Sequence, residues 1–180
     1  MKKKKCIIED YSELKTIVDA HKTLQHKIVC TVGSWDMLHI GHLRYLIKAK
    51  EQGDILIVGT DSDRGIKLYK KNELRPVIPQ EERMEMLSYQ DCVDYVTLVD
   101  DIDDNGKWQY ELIKQVKPDV FVTTDDSYPP EQIDAIKLYS KEIVVFPRQA
   151  EKTSTTSIIE NTMKKHLDAM LSQINNKKSK

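Results

Sequence analysis

Five short apolar runs, each bounded by charged or polar residues, alternate along the chain with segments long enough to form helices. The runs are KIVCTV (27–32), ILIVGT (55–60), VDYVTLV (93–99), DVFVTT (119–124) and EIVVF (142–146). Continuous apolar runs of this length are typical of strands buried on both faces. The alternation therefore predicts an α/β fold, a single doubly wound domain with a mostly parallel five-stranded sheet.

The intervening segments predict crossover helices, with one helix before the first strand and one at the end of the chain. These helices are expected at 12–24, 40–52, 80–89, 107–116, 130–139 and 155–174. The most loop-like segments are 70–79 and the acidic run 100–106. A chain of 180 residues suits one domain. We divide it into an amino-terminal extension with one helix (1–26), a central domain (27–162), and a helix end with a frayed basic tail (163–180).

The charge balance and the cysteines restrict the class of protein. The 28 Lys and Arg against 29 Asp and Glu leave a net charge of −1, which argues against a general nucleic-acid binder. The three cysteines are far apart and form no CxxC pair, as expected in a reducing cytoplasm. No apolar run approaches the roughly 18 residues of a transmembrane helix, and the basic start meets acidic residues too early for a signal peptide. We expect a cytoplasmic protein with neither nucleic acid nor membrane as partner.

The segment VGSWDMLHIGH (32–42) joins the first strand to a helix, at the edge of the sheet where ligands of such folds bind. Gly33 is expected to let the chain leave the strand tightly, and Gly41 to let backbone approach a ligand. His39 and His42 are three residues apart, so both face one side at a helix start, where free N–H groups favour anions. Two imidazoles at this position predict hydrogen bonds to phosphate oxygens.

Two other interpretations of the histidine pair stay open. The pair could be structural, or it could supply two ligands of a zinc site. Asp36 is the nearest further ligand, whereas a zinc site needs about three or four. The order strand, glycine, HxGH and helix favours phosphate.

With these residues the chain resembles the HIGH nucleotidyltransferase superfamily, which implies a Rossmann-like domain. The superfamily includes small cytidylyltransferases, small adenylyltransferases and class I aminoacyl-tRNA synthetases. The synthetases are excluded because the chain has no KMSKS sequence and no room for a tRNA-binding domain.

Two subfamilies resemble different parts of the chain. The segments KIVCTVGSWDMLHIGHLRYL, GDILIVGTDSD and RPVIPQEERMEML are similar to the heptose-1-phosphate adenylyltransferase domain. The segments NGKWQYELI, DVFVTTDDS and PRQAEKTSTTSII are similar to glycerol-3-phosphate cytidylyltransferases. Thr123 and Thr124 depart from the Lys–Gly–Gly–Asp pattern of the heptose family. The PR…STT segment carries one extra residue relative to the cytidylyl pattern and lacks its glycine.

The resemblance implies transfer of a nucleotide monophosphate from a nucleoside triphosphate to a phosphorylated polyol or sugar, with release of pyrophosphate. CMP is favoured, in cell-surface polysaccharide biosynthesis, and AMP with a heptose-1-phosphate is the alternative. A homodimer is also implied, and the helix at 80–89 is a candidate interface. The alternative from another class is a regulatory module that binds a nucleotide without turnover.

The resemblance also assigns roles. The catalytic residues are His39, His42, Arg148 and one of Lys70 and Lys71, of which Lys71 is favoured. The nucleotide-binding residues are Val32, Gly33, Ser34, Trp35, Asp36, Gly41, Asp125, Asp126, Ser154, Thr155 and Thr156. Trp108 and Arg75 are assigned to the acceptor. Mg²⁺ is expected to bridge phosphates, with Asp36 either a further metal ligand or a residue that orients its loop.

Several of these residues have structural alternatives. The carboxylates of Asp125 and Asp126 could cap the following helix, and so could the hydroxyl run 153–157. Trp108 could be buried in the core, and Trp35 could narrow the acceptor pocket. For Arg83, a structural role is favoured over an interface role.

Overall fold

The computed structural model describes residues 6–70, 74–150 and 152–178. Its centre is a five-stranded sheet in the order β3-β2-β1-β4-β5, in which every pair of neighbours is parallel. The strands are β1 (Ile28–Gly33), β2 (Ile55–Asp61), β3 (Tyr95–Val99), β4 (Val120–Thr124) and β5 (Glu142–Phe146). The order reverses direction between β1 and β4, as in doubly wound folds. The predicted fold class is confirmed, and all five strands lie within two residues of their predicted bounds.

Seven helices are formed by the described residues. They are α1 (Tyr11–Thr23), α2 (Ile40–Lys50), α3 (Asp63–Lys70), α4 (Gln80–Ser88), α5 (Glu111–Val116), α6 (Pro130–Lys137) and α7 (Thr155–Lys178). None of them is long and apolar enough to cross a membrane.

The helices cover both faces of the sheet and define two layers of core. On one face, Leu46 of α2 and Leu87 of α4 pack against the strands. On the other face, Val18 of α1, Ile113 of α5 and Ile136 of α6 do the same. These five side chains are fully buried. The amino-terminal helix α1 is therefore part of the same core as the strands.

Three helices differ from the sequence expectation. Helix α3 was not predicted from the sequence. Ile66 is the one large side chain of this helix that is fully buried, and a single buried position gives no helical periodicity of apolar residues. Helix α5 begins four residues later than predicted, because the Asp103 N–H bonds the Lys107 carbonyl in a tight loop and the Asp101 carboxylate caps Glu111. Helix α7 continues past the predicted end, to Lys178.

Arg83 of α4 is completely buried and connects four segments. Its guanidinium donates to the carbonyls of Ser34, Asp61 (2.8 Å) and Ile78 (2.9 Å), and to the carboxylate of Asp63 (2.7 Å). A planar guanidinium has donors in several directions, so one side chain can hold the loop after β1, the end of β2 and the start of α3 together. Arg83 therefore has the favoured structural role.

Candidate functional site

A cleft of about 720 Å³ lies at the carboxyl ends of β1, β2 and β4. This position includes the switch in strand order, where ligands of doubly wound sheets bind. A larger depression of about 900 Å³, lined by Lys22, Lys117 and Lys141, lies at the opposite edge of the sheet. It contains none of the predicted site residues. The chemistry predicted from the sequence therefore belongs to the smaller cleft.

The structure brings most of the predicted site residues to this cleft. Those that line it are Val32, Gly33, Ser34, Trp35, His39, Gly41, His42, Lys70, Arg75, Trp108, Asp126, Arg148, Ser154, Thr155 and Thr156. Asp36 is completely buried beside the cleft, and Asp125 is exposed and does not line it. Lys71, favoured over Lys70 from the sequence, lies outside the described residues.

His39 and His42 stack at the start of α2, with ring centroids 3.9 Å apart. His39 is the N-cap, and its Nδ1 accepts a hydrogen bond from the Gly41 N–H at 3.1 Å. A ring nitrogen that accepts carries no proton, so neutral His39 has its proton on Nε2, which remains a donor. A Cβ on Gly41 would lie 3.0 Å from both Ala150 and the His39 ring. Glycine at 41 therefore permits this close arrangement.

His42 lies deeper than His39, against the edge of the Trp35 ring at 5.6 Å between centroids. Its Nδ1 is buried without a hydrogen-bond partner among the described residues. Burial, helped by His39 and Arg75, lowers the pKa of His42 to about 4. At neutral pH the ring is therefore uncharged, and it lines the cleft while one of its two nitrogens has no partner among the described residues.

The lowered pKa of His42 predicts a pH-dependent stability. The ordinary pKa is 6.5 and the folded value about 4, so between these pH values the unfolded chain binds a proton that the folded protein does not. The free energy of unfolding then falls as the pH drops from 6.5 towards 4, by up to roughly 3 kcal/mol. Urea unfolding at pH 7, 6 and 5 measures this, with His42→Gln as the comparison. Equal pH dependence of the two proteins would contradict it.

Asp36 and Arg75 form a buried ion pair next to the cleft. The Arg75 Nε lies 2.6 Å from Asp36 Oδ2, and the Asp36 carboxylate also accepts the N–H groups of Val77 (3.1 Å) and Ile78 (3.0 Å). Both carboxylate oxygens are thus engaged with protein donors. This arrangement corresponds to the loop-orienting alternative for Asp36 rather than to a metal ligand, and it holds the guanidinium of Arg75 at the cleft wall.

The hydroxyl run before α7 contributes both to the cleft and to the helix start. The Thr155 hydroxyl donates to the Asp36 carbonyl at 2.7 Å, which fixes α7 against the loop after β1. Ser154 Oγ accepts the Ser157 N–H at 3.1 Å, and Ser157 Oγ accepts the Ser154 N–H at 2.9 Å. The N-cap alternative is therefore correct for this serine pair. Thr153 and Thr156 also line the cleft.

Asp126 and Arg148 form an ion pair at the rim of the cleft, with Nε donating to Oδ2 at 2.6 Å. Asp126 also accepts from the Thr124 hydroxyl at 3.0 Å. The guanidinium is 65% exposed, so it keeps access to an anion in the cleft. The two adjacent aspartates consequently have different environments.

The two tryptophans of the cleft are largely buried, and the loop after β1 has an unusual backbone at Trp35 and Met37. Trp108 is only 6% exposed and stacks on Tyr128 with ring centroids 6.0 Å apart, as its core alternative predicts. It also lines the cleft, so its assignment to the acceptor stays a prediction. Trp35 is buried, and its Nε1 donates to the Gly59 carbonyl at 2.8 Å. Gly33 ends β1, and the positive φ angles of the loop that follows belong to Trp35 and Met37, both 51°.

Sequence reasoning missed Asp61, Tyr69 and Tyr128, which also line the cleft. Asp61 ends β2, and the Tyr69 hydroxyl donates to its Oδ2 at 2.6 Å. A polar residue that ends a buried strand was the available signal for Asp61. Tyr69 gave none, because it is on the unpredicted helix α3.

The polar side chains of the cleft fit a Mg²⁺ ion that is bound to the substrate phosphates rather than one held by the protein alone. Within the described parts of the chain, no group of three His, Cys, Asp or Glu side chains is close enough to hold a metal. The cleft carboxylates are Asp61, bonded to Tyr69, and Asp126, paired with Arg148. Since Mg²⁺ keeps several waters and binds through one or two carboxylates plus substrate phosphates, these residues fit a cation held mainly by phosphates.

Comparison with known families gives one match over most of the chain. Residues 30–161 match the model of the family described as cytidylyltransferase-like. The bifunctional protein HldE of Geobacter metallireducens is 37% identical over 87% of this chain, and that of Helicobacter hepaticus is 46% identical over 76%. The chain spans 31% and 27% of the length of these two relatives.

Solved structures give the same fold. A lipopolysaccharide core biosynthesis protein from Thermoplasma volcanium superposes with a TM-score of 0.57 and 25% identity, covering 68% of this chain and 98% of that one. A pantoate-beta-alanine ligase from Francisella tularensis gives a TM-score of 0.56 at 17% identity, covering 81% and 67%, which supports the fold alone.

Proposed function

Since this chain belongs to the cytidylyltransferase-like family, we propose that it transfers a nucleotide monophosphate from a nucleoside triphosphate to a phosphorylated sugar or polyol. The observation that carries the proposal is the stacked pair His39 and His42 at the start of α2, in one cleft with Arg148 and the start of α7. These groups are hydrogen-bond donors and a cation converging on one space. They suit a triphosphate and the charge that develops when its α-phosphorus is attacked.

In this proposal the acceptor phosphate is already ionised, so it needs no general base and forms no covalent bond to the protein. One of its oxygens bonds to the α-phosphorus in line while the bond to the leaving pyrophosphate breaks. His39, through its Nε2–H, and His42 stabilise the α-phosphate. Arg148 neutralises phosphate charge, and the N–H groups at the start of α7 hold the leaving pyrophosphate. Mg²⁺ bound to the phosphates would neutralise further charge.

The base of the nucleotide is the open part of the proposal. The segments around Trp108, Asp126 and Arg148 resemble cytidylyltransferases and favour CTP. The identity to HldE proteins extends over most of the chain and fits the alternative, ATP with a heptose-1-phosphate. We infer that ATP has the stronger support, because 37–46% identity outweighs three short segments. Similarity to the lipopolysaccharide core biosynthesis protein of Thermoplasma volcanium supports a place in the synthesis of a cell-surface polysaccharide.

Calorimetric titration with ATP and with CTP, each with Mg²⁺, tests the choice of base. We expect ATP to bind at least about tenfold more tightly, a difference of about 1.4 kcal/mol, because a site that hydrogen-bonds one base leaves polar groups unpaired with the other. Pyrophosphate release with heptose-1-phosphate and with glycerol-3-phosphate tests turnover. Tighter binding of CTP than of ATP would instead support transfer of CMP. Absence of both nucleotide binding and pyrophosphate release would contradict nucleotidyl transfer.

A homodimer is also part of the proposal. Helix α7 has exposed apolar side chains on one stripe, at Met163, Leu167, Met170, Leu171 and Ile174. Their spacing of three and four residues is that of a helix-pairing surface. This stripe is a better candidate interface than α4, whose Met84 and Leu87 are already buried against the sheet.

A further inference from the structure

We propose that Asp61 and Tyr69 form the part of the cleft that binds the hydroxyl groups of the acceptor's sugar or polyol. This inference rests on the proposed nucleotidyl transfer and adds which part of the same cleft selects the acceptor. Neither residue was assigned a role from the sequence, and both line the cleft.

The strand order divides the cleft into two halves with different chemistry. β1 is central, with β2 on one side and β4 on the other, so the histidine pair that follows β1 lies between the halves. The half beyond β4 contains Arg148 and the hydroxyl run before α7, which suit phosphates. The half beyond β2 contains Asp61, Tyr69 and Lys70 together with apolar Val99 and Ile102.

Within the described part of the chain, the Asp61 carboxylate has one oxygen that the protein engages and one that it does not. Its Oδ2 accepts the Tyr69 hydroxyl at 2.6 Å, and its Oδ1 has no hydrogen-bond partner among the residues that the structure describes. Arg83 donates to the Asp61 carbonyl rather than to the carboxylate. Burial raises the pKa of Asp61. Because Asp61 lines the cleft and is partly exposed, its carboxylate can accept a further hydrogen bond from a ligand at Oδ1.

The charge of Asp61 indicates what kind of ligand group it accepts. An ionised carboxylate repels phosphate, so the space directly beside Asp61 disfavours a phosphate group, although the Lys70 ammonium lies nearby, 5.3 Å from the centre of the Tyr69 ring. A neutral hydroxyl is different, because it can donate to Asp61 Oδ1, and a second hydroxyl of the same ligand can donate to the Tyr69 oxygen, whose own proton is given to Asp61. Tyr69 is 41% exposed, and its ring with Ile102 offers apolar surface to the carbon skeleton of a sugar. The group that fits is therefore the hydroxylated, uncharged part of a sugar or polyol phosphate.

Direct binding measurements test this inference without requiring turnover. The probes are mannose 1-phosphate, heptose 1-phosphate and glycerol 3-phosphate, each against methyl phosphate, which has no hydroxyl groups on its carbon. The titrations are done with a non-hydrolysable triphosphate analogue present. For the best of the three probes, Asp61→Ala is expected to raise Kd at least about tenfold, the effect of losing a hydrogen bond to a charged group. Tyr69→Phe is expected to raise it severalfold, and both variants leave the Kd of methyl phosphate and of the triphosphate analogue unchanged.

Two controls separate substrate contact from a structural link between α3 and β2. Asp91→Asn removes an exposed carboxylate outside the cleft and should change no Kd. Asp126→Asn alters the other half and should change triphosphate binding more than sugar phosphate binding. A merely structural role for Asp61 would weaken all ligands together and lower the thermal midpoint.

The outcomes distinguish this inference from the proposed function. The inference is overturned when Asp61→Ala leaves sugar phosphate Kd within twofold of wild type, or when wild type binds none of the three probes more tightly than methyl phosphate. In either case triphosphate binding with pyrophosphate release would leave the proposed function standing. Conversely, a protein that binds sugar phosphates through Asp61 but never releases pyrophosphate would overturn the proposed function alone.

Discussion

The His42→Ala variant is expected to lose turnover by a factor of about 10²–10³, whereas its affinity for the triphosphate changes by less than about tenfold. The buried Nδ1 of His42 has no partner among the described residues, and the ring lies in the cleft beside His39. Negative charge at the α-phosphate increases as the acceptor oxygen attacks. A fixed donor at this point therefore stabilises the transition state more than the bound triphosphate. Initial rates of pyrophosphate release and calorimetric binding measure the two quantities separately.

His166→Ala is the matched control, because His166 is an exposed residue of α7 outside the cleft. It should leave both turnover and binding unchanged. His42→Gln keeps a neutral hydrogen-bond donor and should retain more turnover than His42→Ala. A His42→Ala protein whose loss is entirely in triphosphate affinity would contradict the role of His42 in the transition state, and a wild-type protein that binds the triphosphate without any turnover would favour the non-catalytic nucleotide-binding module.

The Arg83→Met variant is expected to lose about 3–5 kcal/mol of its free energy of unfolding. Methionine fills much of the same space but leaves the carbonyls of Ser34, Asp61 and Ile78 and the carboxylate of Asp63 without their donor. For a chain of this size the thermal midpoint falls by about 10 °C. Urea denaturation gives the free energy, and differential scanning calorimetry gives the midpoint.

Arg64→Met is the matched control for this loss. Arg64 also donates to two carbonyls and a carboxylate, those of Asp100 and Ile102, but its side chain is 46% exposed. Water replaces such bonds, so the loss should stay below about 1 kcal/mol. Similar losses of unfolding free energy in the two variants would mean that burial is not the reason why Arg83 stabilises the fold. Arg83→Lys should not rescue, since one ammonium cannot reach four acceptors in different directions.

The sequence allowed the sheet to be predicted because each strand is read from consecutive residues. Runs such as 55–60 are largely apolar, which indicates a strand buried on both faces. In a chain whose strands alternate with helices, such strands form a parallel sheet with helices on both sides. Elements whose ends depend on distant partners were predicted less well. The start of α5 is an example, because the carboxylate of Asp101 caps it from ten residues away.

In the candidate site, too, the residues whose positions follow from neighbouring sequence were predicted better than those that depend on distant partners. The sequence predicted His39 and His42 because a spacing of three at a helix start fixes their relation locally. It also predicted Arg148 at the cleft, because parallel strands end at one edge. Asp36 was left between two roles, because its partners Arg75 and Ile78 lie about forty residues later and only the fold brings them together.

The sequence by itself thus determined the α/β class, the strand positions, and the place of the two histidines after β1, since these follow from local patterns of apolar and polar residues. The tertiary structure alone decided that Arg83 links four segments, that Asp36 is an anchor, and that Asp61 and Tyr69 share a wall of the cleft. The physical reason is that burial and long-range pairing depend on which segments pack together, and no single segment contains that information.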